Sequence, residues 1–211
     1  MQIAVLMVAL MTGVAGASAQ AKSPIKLVVL GDSLSAGLGL AGQDAFPMKL
    51  QKSLRDKGIA VDMVNAGVSG DTSSGGRDRL DWSVPEGTEG VIVELGANDA
   101  LRGLDPDVTR AALGDIVARL KARGIAVMLC GMLAPPNYGS DYAARFNSIY
   151  PELSKKFDVQ LYPFFLDGVA ADAKLNQADG IHPTAAGVDI IVKNMMPTVE
   201  AFLGTISGQR R

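Results

Sequence analysis

The sequence predicts an α/β protein: a five-stranded parallel sheet with helices on both faces, a three-layer α/β/α sandwich. Two features predict it. Ile25–Leu30, Val91–Leu95 and Ile125–Cys130 are nearly unbroken apolar runs rich in β-branched residues, as strands buried on both faces are. Between such runs lie stretches whose apolar residues recur at the spacing of one helix face. Strands that alternate with helices join through right-handed crossovers, which makes the sheet parallel.

Taken in order, Ile25–Leu30 is the first strand. Phe46, Leu50 and Leu54 share one face of a helix over Phe46–Lys57, closed by Gly58. Val61–Val64 is a second, short strand. It runs into a turn and then a helix, with Asp71 or Thr72 near the cap. Val91–Leu95 is the third strand, followed by the turn Gly96–Asp99. Pro106 opens a helix to Arg123 on which Val108, Ala112, Ile116 and Leu120 line one face, and Gly124 ends it. Ile125–Cys130 is the fourth strand, and Pro135–Gly139 is a loop. Tyr142–Phe157 reads as helix, kinked or split by Pro151, which has no N–H to give. Val159–Tyr162 is the fifth strand. After the loop Asp179–Pro183, Thr184 begins a last helix ending near Leu203.

At 211 residues the chain has room for one domain, which residues 20–211 are read as forming. Ile3 to Val14 are nearly all apolar, and Ala17-Ser18-Ala19 has the form of a cleavage site. Residues 1–19 therefore read as a signal peptide cut after Ala19, which predicts a periplasmic or secreted protein. The apolar run is too short to span a bilayer, so no stable membrane insertion is expected. No Lys or Arg precedes it: either the terminal amine serves alone or the true start lies upstream. A disordered or helical extension is the alternative.

The formal net charge is -2, leaving no basic excess to hold nucleic acid or an anionic membrane. The single cysteine, Cys130, cannot form an intrachain disulfide and reads as a buried thiol in an apolar strand. The single histidine, His182, rules out a histidine metal cluster, and no cysteine set replaces one. No metal or cofactor is expected. Nothing in the sequence specifies an oligomeric state.

The polar groups past the strand ends carry the functional signal. Ser33 follows the first strand, Ser69-Gly70-Asp71 the second, Gly96-Ala97-Asn98-Asp99 the third, and Asp179-Gly180-Ile181-His182 the fifth. Open parallel sheets bind ligands at this carboxyl edge. With the first strand between the second and third, the first three groups become neighbours. Ser33 is then a candidate nucleophile and His182 its base. Asp179 could orient the imidazole, and a glycine N–H, the Asn98 amide and the Ser33 N–H could form an oxyanion hole. Each piece also has a plainer reading: Ser33 or Asp32 as a helix cap, Asn98-Asp99 and Asp179-Gly180 as turns, Gly70 as a positive-φ residue. Two other templates fail on spacing. The G-x-S-x-G elbow would need glycine where Ser35 stands, and a P-loop would need a lysine that Ser35–Leu40 lacks.

G-D-S-L-S at 31–35, S-G-D-T-S at 69–73, G-A-N-D at 96–99 and D-G-I-H-P at 179–183 resemble the four blocks of the SGNH (GDSL) hydrolases. The longer runs V-E-L-G-A-N-D-A-L-R-G and P-N-Y-G are similar to the acyl-CoA thioesterase I/arylesterase branch. The resemblance implies a flavodoxin-like fold and an exported enzyme. It also implies Ser33 as nucleophile, Asp179 and His182 as its triad partners, and Gly70 and Asn98 as oxyanion donors with the Ser33 amide. The expected activity is hydrolysis of small-molecule carboxylic esters, aryl or short-to-medium acyl, with acyl thioesters as a further class. A lysophospholipase or a carbohydrate O-deacetylase would carry the same triad, and an inactive secreted binding module is the non-enzymatic alternative. Leu101, Leu104, Ala134, Pro135 and Ile181 suit either the wall of an acyl cleft or plain packing.

Overall fold

The computed structural model describes residues 23–210; the leader expected at residues 1–19 lies outside the described residues. The elements in chain order are β1 (Ile25–Gly31), α1 (Ser33–Ala36), α2 (Phe46–Asp56), β2 (Val61–Gly67), α3 (Ser73–Asp78), α4 (Leu80–Ser83) and β3 (Gly90–Glu94). They continue with α5 (Ala97–Leu101), α6 (Pro106–Ala122), β4 (Ala126–Cys130), α7 (Gly139–Asn147), α8 (Ile149–Phe157), β5 (Gln160–Tyr162) and α9 (Ala185–Gln209). Among the described residues the strands form one five-stranded sheet in the order β2-β1-β3-β4-β5, every pair parallel. This is the flavodoxin-like order, whose switch point lies between β1 and β3.

The strands are buried because helices cover both faces. In β3 every residue is buried, and in β1 only Lys26 is exposed. Helix α2 sets Phe46, Leu50 and Leu54, each fully buried, against the sheet and packs on α9. Helix α6 buries Ala112, Ile116 and Leu120 from the expected face and packs on α3 and α8, while Val108 stays half exposed. Each fully buried Leu or Ile contributes roughly 1.5–3 kcal/mol, so these faces fix the layers. The Cys130 thiol is buried and free.

Several boundaries differ from the sequence reading. Strand β2 runs to Gly67 rather than Val64, because Asn65, Ala66 and Gly67 stay in register with Val29, Leu30 and Gly31. Backbone pairing on an edge strand tolerates polar side chains that carry no apolar signal. The helix expected over Tyr142–Phe157 divides at Ser148, with Pro151 in the first turn of α8. Proline there gives no N–H to the Asn147 carbonyl, so the break falls before Pro151 rather than at it. Thr184 is the cap of α9, not its first residue, and the helix passes Pro197 to reach Gln209. Burial of Val199, Phe202, Leu203 and Ile206 outweighs the bond that Pro197 omits.

The carboxyl ends of β1 and β2 are tied by one guanidinium. Arg79, between α3 and α4, donates from Nη2 to the Gly31 carbonyl (2.8 Å) and from Nη1 to the Ala66 carbonyl (2.8 Å) and Ser83 Oγ (2.9 Å). Its Nε donates to Asp71 Oδ2 at 2.7 Å, in the loop that carries Gly70. Only a planar fork reaches these directions at once. Arg79→Ala removes this donor from the shielded Asp71 carboxylate and the Ala66 carbonyl, while the Gly31 carbonyl keeps the Val68 N–H, and is expected to cost about 3–5 kcal/mol in urea unfolding. Arg79→Lys should recover less than half of that. A loss under about 1 kcal/mol would show the ties to be dispensable.

Candidate active site

Strand β1 ends at Gly31, and Asp32 caps α1: its Oδ1 accepts the Leu34 N–H at 3.0 Å. The cap is Asp32, so the Ser33 hydroxyl is free for another partner. Helix α1 lies so close to β2 that a Cβ on Gly67 would sit 2.4 Å from the Ala36 nitrogen. Glycine is required there by contact, and the contact holds Ser33 at the end of β1.

His182 comes from the loop between β5 and α9. That loop folds back on itself: the Gln177 N–H donates to the His182 carbonyl at 2.7 Å, and the Thr184 N–H to the Leu175 carbonyl at 2.8 Å. Asp179 Oδ1 accepts the N–H groups of Ile181 and His182, each at 3.0 Å. Its Oδ2 lies 2.7 Å from His182 Nδ1, and His182 Nε2 lies 2.8 Å from Ser33 Oγ. A carboxylate only accepts, so Nδ1 carries the proton and Nε2 is left to accept the Ser33 O–H. The imidazole and the two amides hold the Asp179 carboxyl down at about 2, well below the usual range. Its charge therefore persists throughout ordinary pH.

Asn98 lies in α5, past β3, and its Nδ2 donates to Asp32 Oδ2 at 3.1 Å. The neighbouring Asp99 is fully buried and joins two loops: it accepts the Ser73 N–H (2.8 Å), Ser73 Oγ (2.5 Å) and Thr109 Oγ1 (2.9 Å). Gly70 has φ 82°, a conformation that favours glycine, and its carbonyl accepts Arg102 Nη2 at 2.8 Å.

Ser33, Asn98 and His182 share the wall of a cleft of about 310 Å³. Leu101, Ala134, Pro135 and Ile181 line it too, beside Leu34, Met132, Leu133, Phe164 and Leu166, which the sequence reading did not single out. Gly70 and Asp179 are not in the lining; Asp179 stands behind the imidazole and Gly70 on the exposed loop after β2. Leu104 is not in the lining; its N–H closes onto the Asp99 carbonyl as the chain turns into α6. Among the described residues no cluster of His, Cys, Asp and Glu could hold a metal ion.

Two buried carboxylates bond to α1, one from the cap position the sequence offered and one from β3, which the sequence did not signal. Asp32 and Glu94 are fully buried. Burial pushes Asp32 up to about 6 against the pull of the Leu34 N–H, the Asn98 amide and His182. Burial, and then the charge of Asp32, push Glu94 well above the carboxylate range. Glu94 Oε2 accepts Ser35 Oγ at 2.7 Å, and Oε1 has no partner. Of the two, Glu94 is the one that burial holds toward its neutral form. Glu94→Gln keeps an acceptor for Ser35 and should leave stability at neutral pH within about 1 kcal/mol of wild type. A carboxyl raised on folding keeps a proton that the unfolded chain releases, so its stabilisation is complete below its unfolded pKa and is lost as pH rises. Urea unfolding at about pH 5 and pH 8 should show wild type losing ground to Glu94→Gln by up to about 1.4 kcal/mol per pH unit. A difference flat with pH would mean that Glu94 ionises normally.

Comparison with known proteins gives this geometry a family. Residues 29–190 match the model of the GDSL-like Lipase/Acylhydrolase family. Esterase TesA of Pseudomonas aeruginosa is 40% identical over 178 residues, covering 84% of this chain and 89% of its own length. The Escherichia coli protein named thioesterase 1/protease 1/lysophospholipase L1 is 39% identical over 178 residues, covering 82% of this chain and 84% of its own. The crystal structure of AlinE4, described as an SGNH-hydrolase family esterase, superposes with a TM-score of 0.73 at 43% identity, covering 86% of this chain and 97% of that one. With the family match spanning most of its length and a fold shared with a solved SGNH hydrolase, this chain belongs to the GDSL-like lipase/acylhydrolase family.

Proposed function

We propose that this protein hydrolyses carboxylic esters of aryl or short-to-medium acyl type through a Ser33–His182–Asp179 triad. The observation that carries the reading is the unbroken relay Asp179 Oδ2–Nδ1 His182 Nε2–Oγ Ser33, at 2.7 and 2.8 Å, opening on an apolar cleft. Ser33 Oγ attacks the acyl carbonyl while His182 Nε2 takes its proton. The Asp179 carboxylate stabilises the imidazolium so formed. Collapse of the tetrahedral adduct breaks the ester bond, and His182 returns the proton to the leaving oxygen. Water then attacks the acyl-Ser33 ester, again with His182 as base, and releases the acid.

The Ser33 N–H, the second Asn98 amide proton and the Gly70 N–H are the donors proposed for the oxyanion. The Ser33 N–H opens α1 and so has no intrahelical acceptor. Leu34, Leu101, Met132, Leu133, Phe164 and Ile181 give the acyl group an apolar wall, which favours a chain over the acetyl of a sugar. Acyl thioesters and single-chain lysophospholipids present the same acyl group, and relatives carry names for both activities. Residues 1–19 support export to the periplasm or beyond, and no helix among the described residues is long and apolar enough to cross a membrane.

The direct test is Ser33→Ala. It should fold and lose esterase activity by ~10³-fold or more. A phosphonate should label wild type once, at Ser33; labelling at Ser35 or Ser69 would sink the assignment. A panel of p-nitrophenyl esters of graded length, one acyl-CoA, one lysophospholipid and one acetylated sugar then ranks the substrate classes, with the sugar expected last.

Asn98→Ala separates an oxyanion donor from a turn residue. A donor strengthens as charge develops, so kcat should fall by ~10²–10³ with KM nearly unchanged. The melting midpoint should also drop, since Asp32 Oδ2 loses its partner at about 1–3 kcal/mol. A lower midpoint with unaltered kcat would confine Asn98 to the loop.

A further inference from the structure

Asp32 is capped into place, but capping does not explain a carboxylate. Serine or asparagine caps a helix as well, and neither carries a charge into a site with no exposure. What a carboxylate does differently is accept only. Its Oδ1 is occupied by the Leu34 N–H at 3.0 Å, and its Oδ2 faces the Asn98 side chain at 3.1 Å. An acceptor-only partner fixes which way an amide is turned: Nδ2 toward Asp32, Oδ1 away. One Nδ2 proton is spent on Asp32 and the other is left for the cleft, whose wall Asn98 shares with Ser33 and His182.

We propose that Asp32 is a positioning residue: its buried carboxylate holds the Asn98 amide in the one orientation that offers an N–H, not a carbonyl, to the oxyanion. The inference rests on the reading of Asn98 as an oxyanion donor. A neutral partner in place of Asp32 could donate to Asn98 Oδ1 as readily as it accepts from Nδ2. The flipped amide would set a carbonyl oxygen against the developing negative charge. Asp32 itself touches no reacting atom; it works through Asn98.

The contact also explains why a costly group is kept. Burial raises the proton affinity of Asp32, so its charged form is held at the expense of stability. A residue kept for packing would stabilise the fold, whereas one kept to orient Asn98 need not.

The test is Asp32→Asn, alone and with Asn98→Ala. The amide keeps the size of Asp32 and an acceptor for the Leu34 N–H. Expected for the single variant is a fall in kcat of about 30–100-fold, KM within about twofold of wild type, and a melting midpoint at about pH 8 no lower than wild type. In the Asn98→Ala background the same substitution should lower kcat by less than about threefold, because the group it acts through is gone. Losses that multiply in the double variant, or an unchanged kcat in the single one, would overturn the proposal. Normalising kcat to phosphonate-titrated sites keeps unfolded material from counting as loss. It also separates two failures: no labelling of Ser33 in wild type sinks the triad, while normal labelling with multiplying losses sinks only the role of Asp32. A spectroscopic reading needs no variant at all. In wild type, one Asn98 side-chain amide proton should already be displaced by Asp32, and only the other should move on forming the phosphonate adduct. Two averaged protons in the free enzyme would contradict the fixed orientation.

Discussion

The carboxyl edge of the sheet depends on the tight passage from β1 into α1. Strand β1 is hydrogen-bonded on both sides, to β2 and β3, so its end cannot drift. The chain must turn between two neighbours, and it does so where glycines stand on the two paired strands, Gly31 and Gly67. A Cβ on Gly31 would lie 2.3 Å from Ser35 Oγ. The Asp32 carboxylate then captures the Leu34 N–H, and the first helical turn is set. Ser33 gains a buried, fixed position at the switch point. His182, which meets Ser33, and Asn98, which meets Asp32, both bond to that turn.

The loops that surround it are joined by directional polar bonds, in the interior and at the surface. Asp99 ties the start of α3 to the starts of α5 and α6. Arg79 ties the ends of β1 and β2 to Asp71. Arg102 reaches across to the Gly70 carbonyl. Apolar contacts tolerate small slips, whereas a hydrogen bond weakens steeply with angle and distance. Loops that must hold donors near one point are better fixed by directional bonds, and the edge of this sheet is built that way.

The fold was legible because its signals are local. Apolar runs marked the strands, and helix faces such as Phe46, Leu50 and Leu54 marked the cover. Boundaries failed where tertiary pairing outweighed side-chain pattern, as at Asn65–Gly67, or where burial carried a helix past a proline, as at Pro197. Of the apolar residues beside the site motifs, Leu101 and Ile181 line the cleft and Leu104 does not, since adjacency in sequence does not give direction. Arg79, Glu94 and the Asp32–Asn98 contact were not legible. The bonds Arg79–Gly31, Ser35–Glu94 and Asp32–Asn98 join residues 48, 59 and 66 apart, and no spacing in the sequence announces them.

Two aspartates within this site show what decides legibility and chemistry together. Asp179 gathers its donors from its own loop, the amides of Ile181 and His182 and the imidazole three residues on. Such a unit holds its charge in the open, with its pKa drawn down to about 2, and needs nothing from the rest of the chain. It can therefore be read as a short motif. Asp32 is the reverse: buried, held by two donors, and pushed up to about 6. One donor is local and makes it look like a cap; the other comes from a different strand end. The same carboxyl group thus meets an imidazole at the surface and an amide in the interior. The inner one is costly to ionise, and the Leu34 N–H, the Asn98 amide and the nearby imidazole of His182 are what sustain its charge.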